Sequence, residues 1–420
     1  MRWRERGAPA TVAGHETTTR HAGALYPFLH ESGTGIPGVL IGLDLLGGAF
    51  AYDPFTLYGA GLLTNPNGIV FGQIGRGKSS LIKTYLLRQL AFGRRAFVVD
   101  PKGEYSTLAE MVGVEPVALS PDGGVRLNPL DLGGSDVGDL RARRLGLLAA
   151  IVTSSMGREL APRERAALEA ALDQAVGSTA IPTLPTVAAA LLDPSPAAAS
   201  NLATTPAQLL EDGRDVGLEL RRLVAGDLRG MFDGATSPSI AADSPLIVLD
   251  LSALYGTAAL GILMVCATAW LQGLVRTAGA RGEQIIVVVD EAWAVLKDLA
   301  VARWLQSAWK LARAWGISCI AVLHRVSDLS AIGGDGSEAR QLAEGLLLDS
   351  ETKVIYAQAP GEIDAAARFL DLTDAEREVV GRLGRGIALW KVGSHSSLVR
   401  HLVAPAELDM VNTDAALLQR

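Results

Sequence analysis

From Gly72 to Ser79 the chain reads Gly-Gln-Ile-Gly-Arg-Gly-Lys-Ser, fitting G-x-x-x-x-G-K-[ST] without a mismatch, and Ser80 follows. These residue types define a chemistry. Gly72, Gly75 and Gly77 let backbone N–H groups turn inward around a phosphate at a helix N-terminus. Gln73, Ile74 and Arg76 supply the rest of that cradle. Lys78 neutralises β- and γ-phosphate charge, and Ser79 offers a hydroxyl to Mg²⁺. Further on, the apolar run Ile285–Val289 ends in Asp290 and Glu291. An acidic pair at the C-terminal end of a strand lies where ligands bind in open α/β sheets. Asp290 is expected to hold the magnesium shell, and Glu291 to take the proton of an attacking water. A third polar pair, His324 and Arg325, closes the next apolar strand and is a candidate γ-phosphate sensor.

Several elements must position these groups. GIVFG is a short strand before the glycine-rich turn, and LIKTYLLRQLAFG an amphipathic helix after it. Arg95–Asp100, Leu246–Leu251, Ile285–Asp290, Ile317–Leu323 and Thr352–Gln358 read as apolar strands. Helices over Thr257–Ala278, Leu299–Trp315 and Glu338–Leu348 alternate with them. That alternation predicts an α/β fold with a mostly parallel sheet covered on both faces. Val39–Asp53 reads as a small N-terminal β-hairpin about the Gly47-Gly48 turn, and Gly386–Leu402 as a last hairpin. Between Asp136 and Ile240 alanine and leucine dominate, apolar residues recur at helical spacing, and prolines punctuate the run, which predicts an all-helical insertion.

The expected organisation is therefore a loose arm over 1–35, a first core part over 36–135, the insertion over 136–240, a second core part over 241–405 and a tail over 406–420. With 420 residues, 49% apolar and 20% charged, the chain falls well away from the disordered class. A net charge of −7 argues against coating nucleic acid by bulk electrostatics, though not against a narrow basic strip. Cys266 and Cys319 sit in apolar runs without metal-ligand spacing and read as buried thiols. Met1–His30 lacks the apolar stretch of a signal peptide. Ala258–Val275, the best membrane candidate, contains Gln272 and Gly261 and reads as a buried core helix. A cytoplasmic protein without direct membrane insertion is expected, a membrane role requiring a partner.

The order of parts carries a resemblance. The P-loop, VVDPKGEY, RLNPLDL, the helical stretch, FDGATSP, PLIVLDLSAL, VVVDEAW and GRGIALWKVG follow one another. This resembles the FtsK/HerA superfamily of motor ATPases, and within it the TraC-like ATPases of conjugation and type IV secretion, from about Val39 to Pro405. The resemblance implies a RecA-like core, ATP with Mg²⁺, and a homo-hexamer. Lys78 and Ser79 match the family's P-loop pair, Asp290 and Glu291 its second motif, and Arg325 a basic residue that follows the sensor. His324 stands where relatives carry glutamine. Arg385 matches the arginine offered to the neighbouring subunit's nucleotide, with Arg313 as a second candidate for that role. Asp100, Lys102 and Glu104 match a strand-end motif without an assigned role. Only about forty residues precede the first hairpin, implying a minimal motor or docking through another chain at the inner face of the membrane.

Three functions follow. The first is a hexameric motor powering conjugative transfer or secretion through membrane-embedded channel proteins. The second is a DNA-pumping translocase or helicase, for which Arg141, Arg143, Arg144, Arg221 and Arg222 would supply a basic strip. The third is a nucleotide-gated assembly platform with little turnover.

Overall fold

The computed structural model describes residues 35–121, 123–132, 137–238, 240, 243–257, 260–279, 281–296, 306, 316–325 and 337–412. In chain order its strands are β1 (Val39–Asp44), β2 (Ala49–Tyr52), β3 (Gly68–Phe71), β4 (Arg95–Asp100), β5 (Val117–Ala118), β6 (Leu246–Asp250), β7 (Ile285–Val289), β8 (Ile317–Leu323), β9 (Thr352–Ile355), β10 (Ile387–Val392) and β11 (His395–His401). The described residues of Met1–Gly93, Ser318–Ala331 and Gly345–Arg420 form one compact unit, and those of Arg94–Ile317 and Ile332–Glu344 a second.

In the first unit the strand order is β2-β1-β11-β10-β9-β3-β8. β3 (GIVF) is buried throughout and pairs in parallel with β9 on one side and β8 on the other. Strands covered on both faces read as unbroken apolar runs, which is why β3 and β8 were legible as such. From β9 outward the ladders are antiparallel, and the two expected hairpins join each other through β1 and β11. That junction demands a glycine. A Cβ on Gly42, opposite His401, would lie 1.9 Å from the Arg400 carbonyl oxygen.

Two helices follow the first hairpin, α1 (Pro54–Gly59) and α2 (Lys78–Ala91). Asp53 caps α1 by accepting from the N–H groups of Phe55 and Thr56, both at 2.9 Å. α2 carries the P-loop lysine at its first position. Its apolar side buries Leu81, Ile82, Tyr85 and Leu86. Tyr85 meets Tyr52, and Tyr52 and Phe50 meet Trp390, with ring centroids 5.2–5.9 Å apart. The Tyr52 hydroxyl donates to Thr352 Oγ1 at 2.9 Å. At the other end of α2, Arg88 donates to both Glu407 oxygens (2.8 and 2.6 Å) and to the Leu402 and Leu40 carbonyls. A guanidinium there also suits the negative end of the helix dipole.

The second unit holds four mutually parallel strands in the order β7-β4-β6-β5. Its helices begin with α3 (Ser106–Val112), α4 (Val137–Met156), α5 (Pro162–Ser178), α6 (Leu184–Leu192), α7 (Pro196–Asn201) and α8 (Pro206–Ala225). Further along come α9 (Leu260–Gly279) and α10 (Ala292–Leu296). α9 packs against β4, β7 and α4. Cys266 lies fully buried on α9 and Cys319 is buried in β8, and both are free thiols. Among the described residues no helix is long and apolar enough to cross a membrane. Of the expected helix Leu299–Trp315 only Gln306 is among the described residues, where it is helical, and Arg313 lies outside them.

Two sequence motifs prove to be one structure. Arg126 of RLNPLDL pairs with Asp233 of FDGATSP at 2.8 Å, the Leu127 N–H donates to the Met231 carbonyl, and the Asn128 N–H donates to Thr236 Oγ1. Asn128 is buried and its amide also donates to the Pro182 carbonyl at 2.9 Å. The two motifs tie the start of the helical segment to its end.

His401 supplies a stability prediction. Its ring lies mostly buried, with Nε2 2.7 Å from Thr84 Oγ1 on α2. Burial first, then the Arg88 charge, lowers its pKa from 6.5 to about 4, against an opposing pull from Glu407. The folded imidazole therefore stays neutral where the unfolded one takes up a proton. This contribution is fully present above pH 6.5 and is lost as pH falls toward 4. Denaturant titrations across that window should show a loss of at most about 3 kcal/mol from this group, and His401→Gln should flatten the slope.

Candidate active site

The P-loop turns directly from β3 into α2. Gly75 and Gly77 lie in the left-handed region, at φ +77° and +111°. Gly72, at φ +156°, is required for a different reason. A Cβ there would lie 2.4 Å from the Cβ of Tyr356, the buried residue that follows β9. The Tyr356 N–H donates to the Phe71 carbonyl at 2.8 Å and its hydroxyl reaches the Gly77 carbonyl at 3.4 Å, so this ring walls the loop. Gln73 N–H donates to the Ala357 carbonyl at 3.3 Å, and Arg76 holds the Gln73 side-chain oxygen through Nε and Nη2. Ile74 is 76% exposed, so it contributes nothing to packing.

Lys78 is buried, and its ammonium turns back to the carbonyls of Gly72 and of Gln73, the latter at 3.0 Å. α2 starts without a side-chain cap, because Gly77 stands at the N-cap position. A helix N-terminus of this kind directs N–H donors and the positive end of its dipole at one point. Ser79 and Ser80, half-buried, occupy the first turn. The donor set fits a phosphate, and the Ser79 hydroxyl is a group of the kind that can join a magnesium shell.

In the second unit, β7 ends in Asp290 and Glu291, both buried. The Asp290 N–H donates to the Val99 carbonyl of β4 at 3.1 Å, which fixes the two strand ends together. Asp290 Oδ2 accepts from the Tyr105 hydroxyl at 3.0 Å, and Oδ1 accepts from the Glu291 N–H at 2.8 Å. Burial chiefly, with the charges of Glu291, Glu104 and Asp100, raises the Asp290 carboxyl to about 6, although the Glu291 N–H opposes the shift. A carboxylate this costly to ionise in isolation gains from a cation beside it, so Asp290 fits a metal ligand. Glu291 forms an ion pair with Lys102 and accepts from the Trp293 indole N–H. Asp100, at the end of β4, accepts from the N–H groups of Lys102 (3.2 Å) and Tyr105 (2.8 Å), which folds the Pro101–Tyr105 turn over the carboxylate pair.

The strand-end motif thus has a structural task that its residue types alone do not assign. Tyr105, Trp293 and Tyr356 went unassigned as well. The first two stand inside the quoted DPKGEY and DEAW strings, so their signal was present, whereas Tyr356 lies inside the expected strand Thr352–Gln358 and carries no signal of its own. His324 immediately follows β8 and is half-buried, with Arg325 exposed beside it. Arg385 is exposed, and the next residue, Gly386, donates its N–H to the Arg76 carbonyl at 3.0 Å. The backbone at Arg385 therefore backs onto the P-loop of its own chain.

Comparison with known proteins bears on the fold. VirB4 of Thermoanaerobacter pseudethanolicus superposes with a TM-score of 0.71 at 24% identity, over 89% of this chain and 100% of that one. The chain shares its fold with VirB4. The bacterial conjugative coupling protein TrwB superposes at 0.55 in its unbound form, at 14% identity over 80% of this chain and 85% of that one. TrwB in complex with ADP and Mg²⁺ gives 0.57 at 15% identity, over 91% and 92%. The α/β, RecA-like expectation is met, with an antiparallel extension beyond β9. An uncharacterized protein of Bacillus anthracis is 30% identical over 110 residues, which are 26% of this chain and 16% of that relative. No family model matches the chain.

The contact between Gly72 and Tyr356 is testable as a double-mutant cycle. Gly72→Ala should cost at least about 2 kcal/mol in urea denaturation. In a Tyr356→Gly background, where the opposing Cβ is gone, the same change should cost less than about half of that.

Proposed function

We propose that this chain is a magnesium-dependent ATP hydrolase that works as a hexameric motor, powering conjugative DNA transfer or type IV-like secretion. The observation that carries the reading is Lys78, a buried ammonium held at the start of α2 inside a turn that glycines alone permit. The likeness to VirB4 and TrwB supports it, since TrwB is a conjugative coupling protein solved with a non-hydrolysable ATP analogue and with ADP and Mg²⁺.

The chemistry assigns each residue a task. Lys78 and the N–H groups around Gly75, Arg76 and Gly77 draw charge from the β- and γ-phosphate oxygens. Ser79 in the first unit and Asp290 in the second are each assigned as a magnesium ligand, and the ion would supply further positive charge. Glu291 accepts a proton from water as the water oxygen bonds to the γ-phosphorus and the bond to the departing ADP oxygen breaks. His324, with Arg325, senses the γ-phosphate through its ring N–H. Arg385 bridges phosphate oxygens of the neighbouring subunit's nucleotide with its planar fork. The ring works on the cytoplasmic side of the membrane, docked on channel proteins.

The translocase reading is weaker, because four of the five arginines that would form its basic strip, all but the exposed Arg221, are engaged within the chain. Arg141 pairs with Asp173 and Glu169, Arg222 with Glu219 and Asp227, and Arg143 and Arg144 donate to the Leu132 and Leu130 carbonyls. Steady-state phosphate release should fall at least about a hundredfold in both Lys78→Ala and Glu291→Gln. Glu291→Gln should still bind ATP with near wild-type affinity, whereas Lys78→Ala should bind it poorly.

A further inference from the structure

Both oxygens of the Glu291 carboxylate are engaged. Lys102 forms an ion pair with Oε1, and the Trp293 indole N–H donates to Oε2. The two partners differ in freedom. The Glu291 side chain is 2% exposed, while that of Lys102 is 26% exposed and belongs to a turn rather than a strand. Glu291 also has φ +50°, a left-handed conformation that costs a residue other than glycine roughly 1–2 kcal/mol. The surroundings hold it there through the 2.8 Å bond from its own N–H to Asp290 Oδ1 and through the two side-chain partners. In this arrangement each carboxylate oxygen already receives one donor, and the ammonium on Oε1 lowers the basicity of the carboxylate as a proton acceptor.

We propose that Lys102 is a positioning residue that holds Glu291 in a restrained state, and that ATP hydrolysis requires its ammonium to leave Oε1. The proposal rests on the ATPase reading above. The ammonium already stands over the Tyr255 ring, 5.7 Å from its centroid, so the ring can retain it when it leaves Oε1. The turn is braced for such an exchange. Gly103 sits at φ +71° with its Cβ position 3.2 Å from Ser252 Oγ, so the backbone carrying Lys102 is fixed beside the segment carrying Tyr255. Once the ammonium leaves Oε1 and stays with the ring, that oxygen loses its ion-pair donor and can accept a water proton, while the Trp293 indole keeps Oε2 and preserves the carboxylate's orientation. Glu291 then takes one proton from the water that bonds to the γ-phosphorus, and ADP departs with the electrons of the broken bond.

The test uses the full chain with ATP and magnesium. Lys102→Met removes the charge and the donor. Lys102→Gln keeps a donor without the charge, which guards against misfolding around a buried carboxylate. Both should raise kcat about fivefold or more with KM little changed, because the fraction of enzyme with a free base rises. Lys102→Arg retains the ion pair and should stay near the wild-type rate. If Met and Gln variants that bind a fluorescent ATP analogue normally turn over no faster than wild type, the restraint does not exist.

A readout without turnover is the emission of Trp293, isolated by subtracting Trp293→Phe backgrounds. In nucleotide-free protein it should shift on Lys102→Met, and an unchanged spectrum would overturn the proposal. Absence of ATP hydrolysis in every variant would defeat the ATPase reading instead, and the emission would still decide the restraint.

Discussion

A buried strand that turns into a helix beside a neighbouring strand end leaves no room for a side chain where the turn meets that neighbour. That constraint governs the first compact unit. β3 is buried throughout and ends against Tyr356, so Gly72 cannot carry a Cβ. Gly75 and Gly77 complete the reversal in conformations disfavoured for other residues. The reward is an uncapped helix start with Lys78 folded into it, which is a concentrated positive field in a place from which water is largely removed. The aromatic group of Phe50, Tyr52, Tyr85 and Trp390, and the Arg88–Glu407 pair, hold α2 so that its first turn stays at the end of β3.

The second unit solves the opposite electrostatic problem. Asp100, Asp290 and Glu291 gather buried carboxylates at the ends of β4 and β7, and such groups cost several kcal/mol each if left uncompensated. The DPKGEY turn compensates them with an ammonium, a hydroxyl and backbone N–H groups. The same turn that makes these carboxylates tolerable also occupies the oxygens needed for chemistry. Stability of the apo site and activity of the base therefore pull in opposite directions, and Lys102 stands at the point of conflict.

Much of this was legible in the sequence where local pattern and tertiary role agree. The continuous apolar runs of β3, β4, β7 and β8 announced buried strands. Gly47-Gly48, both with positive φ, announced the first hairpin. The helix Glu338–Leu348 was read to the residue. The pairing of β1 with β11 was not legible, because it joins segments some 350 residues apart and its only local mark is one glycine at Gly42. Lys102, Tyr105 and Trp293 stand in strings that the sequence marks, DPKGEY and DEAW, but their individual roles were not legible for a related reason. Their residue types fit surface, core and core respectively, and only their convergence on Asp290 and Glu291 reveals the task. The Arg126–Asp233 link shows the same thing at larger scale, two motifs whose function is each other.

The central claim is that ATP held by the P-loop is cleaved rather than merely bound. Single-turnover phosphate release decides it, with radiolabelled ATP preloaded on the purified chain and the reaction started with magnesium. The account predicts one phosphate released per bound ATP with magnesium and none with EDTA. Recovery of the bound ATP intact under both conditions would contradict it, and would make the protein a nucleotide-gated platform instead of a motor.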